Sequence, residues 1–101
     1  MVKILLVCSA GMSTSFMVNK MKDAAKAKGL DAEIWAVAEA EAAENIGRAD
    51  IMMLGPQVRF LEGKMKGLAG DKPVTVIDMV AYGSMNGQKV LEQALKLLGM
   101  E

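Results

Sequence analysis

Apolar residues along the chain form four short runs, and amphipathic segments of helical spacing separate them. The runs predict strands over residues 2–8, 32–37, 50–54 and 74–78. The first run is apolar almost throughout, which is typical of a strand buried on both faces. The second alternates less cleanly and favours a half-exposed edge strand. Apolar positions three and four residues apart predict helices over 14–28, 39–46, from the Gly55-Pro56 turn to about Leu68, and 87–98.

Glycines and one asparagine mark the expected ends of these helices. Gly29, Gly47 and Gly99 each follow a helical segment, where glycine ends a helix at little cost. Asn86 stands just before the last helix, where its side chain can cap the free N–H groups. The segment 79–86 between the last strand and this helix is predicted to be a loop.

Strands and helices alternate along the whole chain, which predicts an α/β fold. A strand–helix repeat gives a parallel sheet with right-handed crossovers and helices on both faces. For four strands we expect the order 2-1-3-4, with the first and third strands at the point where the order reverses. Ligands bind at the carboxyl ends of the strands at that point. With 101 residues, the chain is predicted to be a single domain, 1–101.

Composition narrows the function classes. Net charge is zero, with 12 basic and 12 acidic residues, so no nucleic-acid surface is expected. No apolar run approaches the roughly 20 residues of a membrane span, and the N-terminal segment is predicted to be a strand rather than a signal peptide. One cysteine cannot make an intrachain disulfide, which fits the reducing cytoplasm. Aromatic residues are 4% of the chain, so the core is aliphatic, with Met17, Met21, Met52 and Met53 expected inside it.

Cys8, the single cysteine, carries the expected chemistry. It ends the first predicted strand at the edge where ligands bind, and a helix start follows within a few residues. Backbone N–H groups and the positive end of a helix dipole bind anions there and favour a thiolate. Gly11 lets successive N–H groups converge on an anion, and hydroxyls add donors. The predicted phosphate-binding loop is Ser9, Ala10, Gly11, Met12, Ser13, Thr14 and Ser15. The alternative is that Cys8 is a small buried hydrophobe and the loop an ordinary strand-to-helix turn.

The lack of a histidine in the chain and of an arginine in the loop limits the reactions that the loop can support. The chain has no histidine, so no Cys–His pair can form within it and another protein must supply any histidine needed. Low-molecular-weight tyrosine phosphatases have Cys-x5-Arg on a similar loop, and the arginine clamps the phosphate oxygens. Here Thr14 holds that position. A nucleophile without a clamp is expected to accept a phosphoryl group without hydrolysing it quickly. No metal-ligand spacing is present, and no cofactor is expected.

Three segments together resemble enzyme IIB of the bacterial phosphotransferase system, lactose/cellobiose family. They are Lys3 to Ser15 with the cysteine motif, the turn Leu54-Gly55-Pro56-Gln57-Val58, and the last loop and helix with Ile77-Asp78, Tyr82-Gly83 and Asn86 to Leu91. The resemblance covers the whole chain as one phosphocarrier domain. It implies that Cys8 accepts a phosphoryl group from a histidine of enzyme IIA. It further implies that Cys8 donates the group to a sugar, a β-linked disaccharide such as cellobiose, chitobiose or lactose, held by the membrane permease enzyme IIC.

Other residues at the carboxyl edge of the sheet are predicted to form a rim on which partner proteins dock. The predicted rim is Met12, Gln57, Met79, Tyr82 and Met85. Asp78 could act as a general acid, but an aspartate at a strand end more often caps the next turn, and this is the favoured interpretation. Trp35 is expected on the core side of the edge strand, and a contribution of Arg59 is left open. A phosphatase or arsenate reductase of the same fold, and a non-catalytic phosphate-binding regulatory module, remain as alternatives.

Overall fold

The computed structural model describes residues 1–9 and 12–100, with the backbone alone for residues 12–14. Within this part of the chain, four strands form one parallel sheet in the order β2-β1-β3-β4. The strands are β1 (Val2–Cys8), β2 (Ala32–Ala38), β3 (Ile51–Leu54) and β4 (Val74–Val76). The predicted strand order is therefore confirmed, and β1 and β3 lie at the centre of the sheet.

Helices connect the strands in the expected alternation. They are α1 (Met12–Ala27), α2 (Ala42–Asn45), α3 (Glu62–Ala69), α4 (Met79–Gly83) and α5 (Gly87–Leu97). Asn86 caps α5, because its Oδ1 accepts a hydrogen bond from the Lys89 amide at 3.1 Å. Gly29, at φ 70°, follows α1 in the left-handed conformation that glycine tolerates.

The core has two halves, one on each face of the sheet. Side chains of successive strand residues point to opposite faces. Ile4 and Leu6 therefore pack with α1 and α5, whereas Leu5 and Val7 pack with α2 and α3. The four methionines expected in the core are fully buried: Met17, Met21, Met52 and Met53. Because both faces of β1 are covered, its last residue is held in a rigid part of the molecule.

The edge strand β2 is half-exposed, as predicted, and Trp35 packs partly against the core. The Trp35 indole N–H donates to Asn45 Oδ1 at 3.0 Å. The Arg48 guanidinium carbon lies 4.7 Å from the centroid of the Trp35 ring. These contacts join β2 to the α2 region on one face of the sheet.

Several predicted boundaries differ from the structure; α1, for example, begins at Met12 rather than at residue 14. The helix expected over 39–46 is divided into Glu39–Glu41 (3₁₀), α2 and Ile46–Arg48 (3₁₀), and the helix after Gly55 opens with a 3₁₀ segment, Pro56–Leu61. β4 ends at Val76 rather than at residue 78, because its partner β3 ends at Leu54, whose carbonyl accepts the last ladder bond from the Ile77 N–H at 2.8 Å. The Gln93 side chain binds the outer edge of the same segment. The Gln93 amide donates to the Val76 carbonyl at 2.8 Å, and its Oε1 accepts from the Asp78 N–H at 3.0 Å.

The predicted loop 79–86 also contains a helix, α4, at Met79–Gly83. Asp78 causes this difference. Its Oδ2 accepts a hydrogen bond from the Ala81 N–H at 2.9 Å and satisfies one of the free donors of the first turn. The interpretation of Asp78 as a turn cap is thereby confirmed, and the turn it caps continues into a short helix.

Candidate functional site

Cys8 is the last residue of the central strand β1, at the carboxyl edge of the sheet. Cys8 is 5% exposed, and its thiol forms no disulfide. β2 and β3 flank it on both sides, with Ala38 as its partner in β2. Because both neighbours pair with β1, the Cys8 backbone is fixed, and the thiol is held where parallel sheets bind their ligands.

The segment after Cys8 is short. Three residues, 9–11, separate the end of β1 from the start of α1 at Met12. Ser9 and Ser15 are exposed. Ala10 and Gly11 of the predicted phosphate-binding loop lie outside the described residues, as do the side chains of Met12, Ser13 and Thr14. A helix of 16 residues therefore begins close to the thiol in the chain, and the first turn of a helix has N–H groups without an intrahelical partner.

Gly55 forms the wall of the site next to Cys8. It follows β3, and its N–H donates to the Val7 carbonyl at 2.9 Å. A Cβ added to Gly55 would lie 3.6 Å from the Cys8 Cβ and 3.0 Å from Gln57 Oε1. The backbone of Gly55, at φ −59° and ψ 148°, is one that any residue adopts. Glycine therefore provides space between two side chains here, rather than an unusual backbone conformation.

An open cleft lies beside this wall, between the start of the 3₁₀ segment and α4. Its lining residues are Pro56, Gln57, Arg59, Phe60, Met79, Tyr82 and Gly83. Phe60 is 76% exposed and Met79 is 58% exposed, so two large apolar side chains lie at the mouth of the cleft, beside the exposed Gln57 and Arg59. Sequence analysis did not select Phe60. In the sequence, Phe60 is recognisable only as an aromatic residue three positions after Gln57, in a chain with few aromatic residues.

The structure brings together three of the five predicted rim residues. Gln57, Met79 and Tyr82 line the same cleft. Tyr82 is only 6% exposed and packs in the core with α1 and α5, so its edge rather than its whole ring borders the cleft. Met85 is half-buried against the same core half, with a positive φ of 53°, and is not among the cleft residues. Met12 has no described side chain.

Charged groups around the site are sparse. Asp78 uses Oδ2 to cap α4, and Arg59 is an exposed cation in the cleft. Over the described ranges, no three His, Cys, Asp or Glu side chains cluster closely enough to hold a metal ion. The helices in the same ranges include none long and apolar enough to cross a membrane.

Together these features define a class: an α/β domain with a buried thiol at the ligand-binding edge of its sheet. Comparison with known proteins identifies the family within this class. Residues 3–93 match the family model for the lactose/cellobiose-specific IIB subunit of the phosphotransferase system. The chain belongs to this family, and it is therefore a sugar phosphotransferase component.

Individual relatives agree with the family. The oligo-beta-mannoside-specific EIIB component of Bacillus subtilis (strain 168) is 49% identical over 97% of this chain and 97% of its own length. The galactose-specific EIIB component of Lactococcus lactis subsp. cremoris (strain MG1363) is 42% identical over 94% of each chain. These relatives have different sugars in their names, so family membership by itself does not specify the sugar.

Solved structures share the fold. The cellobiose-specific IIB component from Borrelia burgdorferi is 40% identical, with a TM-score of 0.77 over 94% of this chain and 89% of its own. A mutant of YwlE from Bacillus subtilis is 18% identical, with a TM-score of 0.63 over 98% of this chain and 99% of its own. At that identity the likeness shows the fold alone. The predicted fold class, with its resemblance to low-molecular-weight tyrosine phosphatases, is confirmed.

Proposed function

We propose that Cys8 is the residue that carries the phosphoryl group in this sugar phosphotransferase component. The observation that carries the proposal is the position of the thiol. Cys8 is buried, forms no disulfide, and ends the central strand β1, with three residues between it and the helix α1. A thiolate is the nucleophilic form of cysteine, and a helix start favours it. The alternative of a merely structural cysteine gives no reason for this placement.

The proposed donor is a phosphohistidine of enzyme IIA, as membership of this family implies. This chain has no histidine of its own, so that histidine lies in another protein. The Cys8 sulfur attacks phosphorus, the P–N bond breaks, and the imidazole leaves with the electron pair and takes up a proton. In the second step a sugar hydroxyl held by the membrane permease IIC attacks the same phosphorus. The S–P bond breaks, the thiolate is restored, and the hydroxyl proton passes to a base of the permease or to solvent.

A carrier must hold its phosphoryl group without losing it to water, and the residue types at and near the site suit that requirement. A phosphatase of this fold clamps the phosphate with an arginine six positions after the cysteine, whereas this chain has Thr14 there. Asp78 caps α4 through Oδ2, which gives its carboxylate a structural task. Since fast hydrolysis needs both charge stabilisation and a proton donor, the phosphocysteine is expected to be long-lived.

Both partners are proposed to dock over the same apolar mouth. Phe60 and Met79 are large and exposed, and they line the cleft together with Gln57 and Tyr82. Methionine adapts its shape to more than one partner surface. Met12 and Met85 are included in this rim from their places in the sequence. IIA and IIC would therefore bind in turn, in the cytoplasm, and never together.

The proposed acceptor is a β-linked oligosaccharide of the cellobiose, chitobiose or lactose type. Support comes from the family description and from the names of the relatives, which include an oligo-beta-mannoside and a cellobiose component. The test is to supply several sugars to membrane vesicles that contain the cognate permease and to measure how much of each sugar is phosphorylated, because the phosphorylated sugar is the direct product.

The decisive experiment is incubation of the protein with phosphorylated IIA, followed by intact and peptide mass spectrometry. We expect one added phosphoryl group, located on the peptide that contains Cys8, and slow release of inorganic phosphate. A protein that binds phosphate without an adduct would be a regulatory module. Rapid turnover of an aryl phosphate would instead identify a phosphatase, and either result would contradict the proposal.

A further inference from the structure

We infer that the Gln57 carboxamide binds the phosphoryl group on Cys8 and holds it for transfer, in addition to any part it has in docking. The inference rests on the proposed role of Cys8. The observation behind it is the packing around Gly55. The Cys8 Cβ and the Gln57 carboxamide oxygen both lie close to the position that a Cβ on Gly55 would occupy. A Cβ at Gly55 would meet them at 3.6 Å and 3.0 Å.

The Gln57 side chain lies on the path from the Cys8 sulfur to solvent. Cys8 is almost buried, whereas Gln57 is exposed at the border of the cleft. A phosphoryl group on the sulfur must extend from the buried strand end toward solvent, since both partners approach from outside. Gln57 is the first polar side chain after β3, the strand that pairs with the Cys8 strand β1, and it lies in the 3₁₀ segment Pro56–Leu61. A phosphoryl group leaving the strand end toward the cleft therefore passes the Gln57 amide.

The Gln57 carboxamide oxygen is the atom that lies nearest Gly55, and a half-turn about the last side-chain bond brings the two N–H donors to that side instead. Within the described part of the chain, the Gln57 carboxamide takes part in no hydrogen bond. Gln93 provides the contrast, because its carboxamide is held by Asp78 and Val76. A side-chain amide supplies two N–H donors, and phosphoryl oxygens are strong acceptors.

The chemistry of an amide suits a carrier better than that of an arginine. A carboxamide is neutral and does not titrate, so it can orient a phosphoryl oxygen without adding a full positive charge. It can neither protonate the leaving sulfur nor deprotonate water. Gln57 therefore offers a neutral phosphate ligand in a chain whose loop lacks the arginine clamp, and transfer to a docked partner is favoured over hydrolysis.

The test compares Gln57→Met with Gln88→Met. Methionine matches glutamine in length and keeps the cleft apolar, but it has no donor. Gln88 is an exposed glutamine on α5, paired with Glu92 and absent from the cleft lining, so it is the matched control. We expect Gln57→Met to lower the maximal rate of phosphoryl loading from IIA about tenfold, the lower end for a hydrogen bond to a charged group. The IIA concentration at half-maximal rate should stay unchanged.

Two further variants separate binding of the phosphoryl group from docking. Gln57→Glu keeps the shape but repels the phosphoryl oxygens, so its loss of rate should exceed that of Gln57→Met. Gly55→Ala leaves position 57 intact but places a Cβ 3.0 Å from Oε1, which displaces the amide and should reproduce part of the effect. The ³¹P resonance of the phosphocysteine should shift in the three site variants and not in Gln88→Met.

The outcomes are distinct. A wild-type maximal rate and an unmoved ³¹P resonance in Gln57→Met would overturn the inference while the role of Cys8 stands. An increased half-saturating IIA concentration at unchanged maximal rate would assign Gln57 to docking alone and would also overturn it. Absence of any adduct on Cys8 in the wild-type protein would overturn both the proposed function and this inference.

Discussion

At the scale of single residues, the proposed chemistry depends on one thiol, Cys8, at the end of the central strand β1. Cys8 could be predicted from local sequence, because an apolar strand, a cysteine and a small polar loop are adjacent in the chain. The contact of Gly55 with Cys8 and Gln57 could not, because it depends on how the side chains of neighbouring strands pack. The loop itself was predicted only as a set of residues, and Ala10 and Gly11 lie outside the described part of the chain.

The first prediction concerns the nucleophile. Cys8→Ser should fold, with a free energy of unfolding lowered by at most about 2 kcal/mol for burying a hydroxyl. It should accept no phosphoryl group from IIA, because a serine needs an adjacent base and the chain has no histidine. Urea unfolding and intact mass measure the two effects. A phosphorylated, folded serine variant would show that another residue carries the group.

At the level of elements, the Asp78 cap determines where α4 begins, and α4 forms one wall of the cleft. The strands were predictable because their apolar runs are continuous, and the helix over 87–97 because Asn86 precedes it. The helix α4 was missed because five residues give too short a pattern to detect by periodicity. Its cause, the Asp78 cap, is visible in the sequence, but a capped turn and a capped helix have the same first residues.

The second prediction follows from that cap. Asp78→Ala should lower the free energy of unfolding by about 1 kcal/mol, since one N–H of α4 loses its acceptor. Asp78→Asn keeps the side-chain oxygen and should remain within a few tenths of a kcal/mol of wild type. Because α4 contributes Met79 and Tyr82 to the cleft, the alanine variant should also load phosphoryl groups more slowly. Equal stability of the two variants in urea would argue against the cap.

At the scale of the whole molecule, α1 and α5 pack with their backbones very close together at Gly87. A Cβ on Gly87 would lie 2.4 Å from the Lys20 carbonyl carbon and 2.6 Å from its oxygen. The strand order could be predicted from βα alternation, because crossover rules leave few topologies. This helix contact could not, since neither glycine nor lysine reveals in sequence which backbones approach each other.

The third prediction tests this contact. Gly87→Ala should lower the free energy of unfolding by about 1–3 kcal/mol, because backbone on both sides must move apart. The matched control is Gly63→Ala in α3, where an added Cβ would meet nothing within 4 Å. Alanine is the better helix former, so the control should gain roughly 0.5–1 kcal/mol. Unfolding midpoints in urea compare the pair, and a neutral Gly87→Ala would mean that the helices separate without cost.

The Gln93 side chain has a consequence for solubility. A strand at the edge of a sheet exposes unpaired peptide groups that can recruit another chain. Gln93 occupies the Val76 carbonyl and the Asp78 N–H, so the outer edge of β4 has no room there for a second strand. This arrangement disfavours self-association along the side of the sheet, away from the carboxyl edge where the partners are proposed to dock. Gln93→Leu should aggregate at concentrations where wild type and Gln88→Leu stay monodisperse by analytical ultracentrifugation, and a monodisperse Gln93→Leu would remove this role.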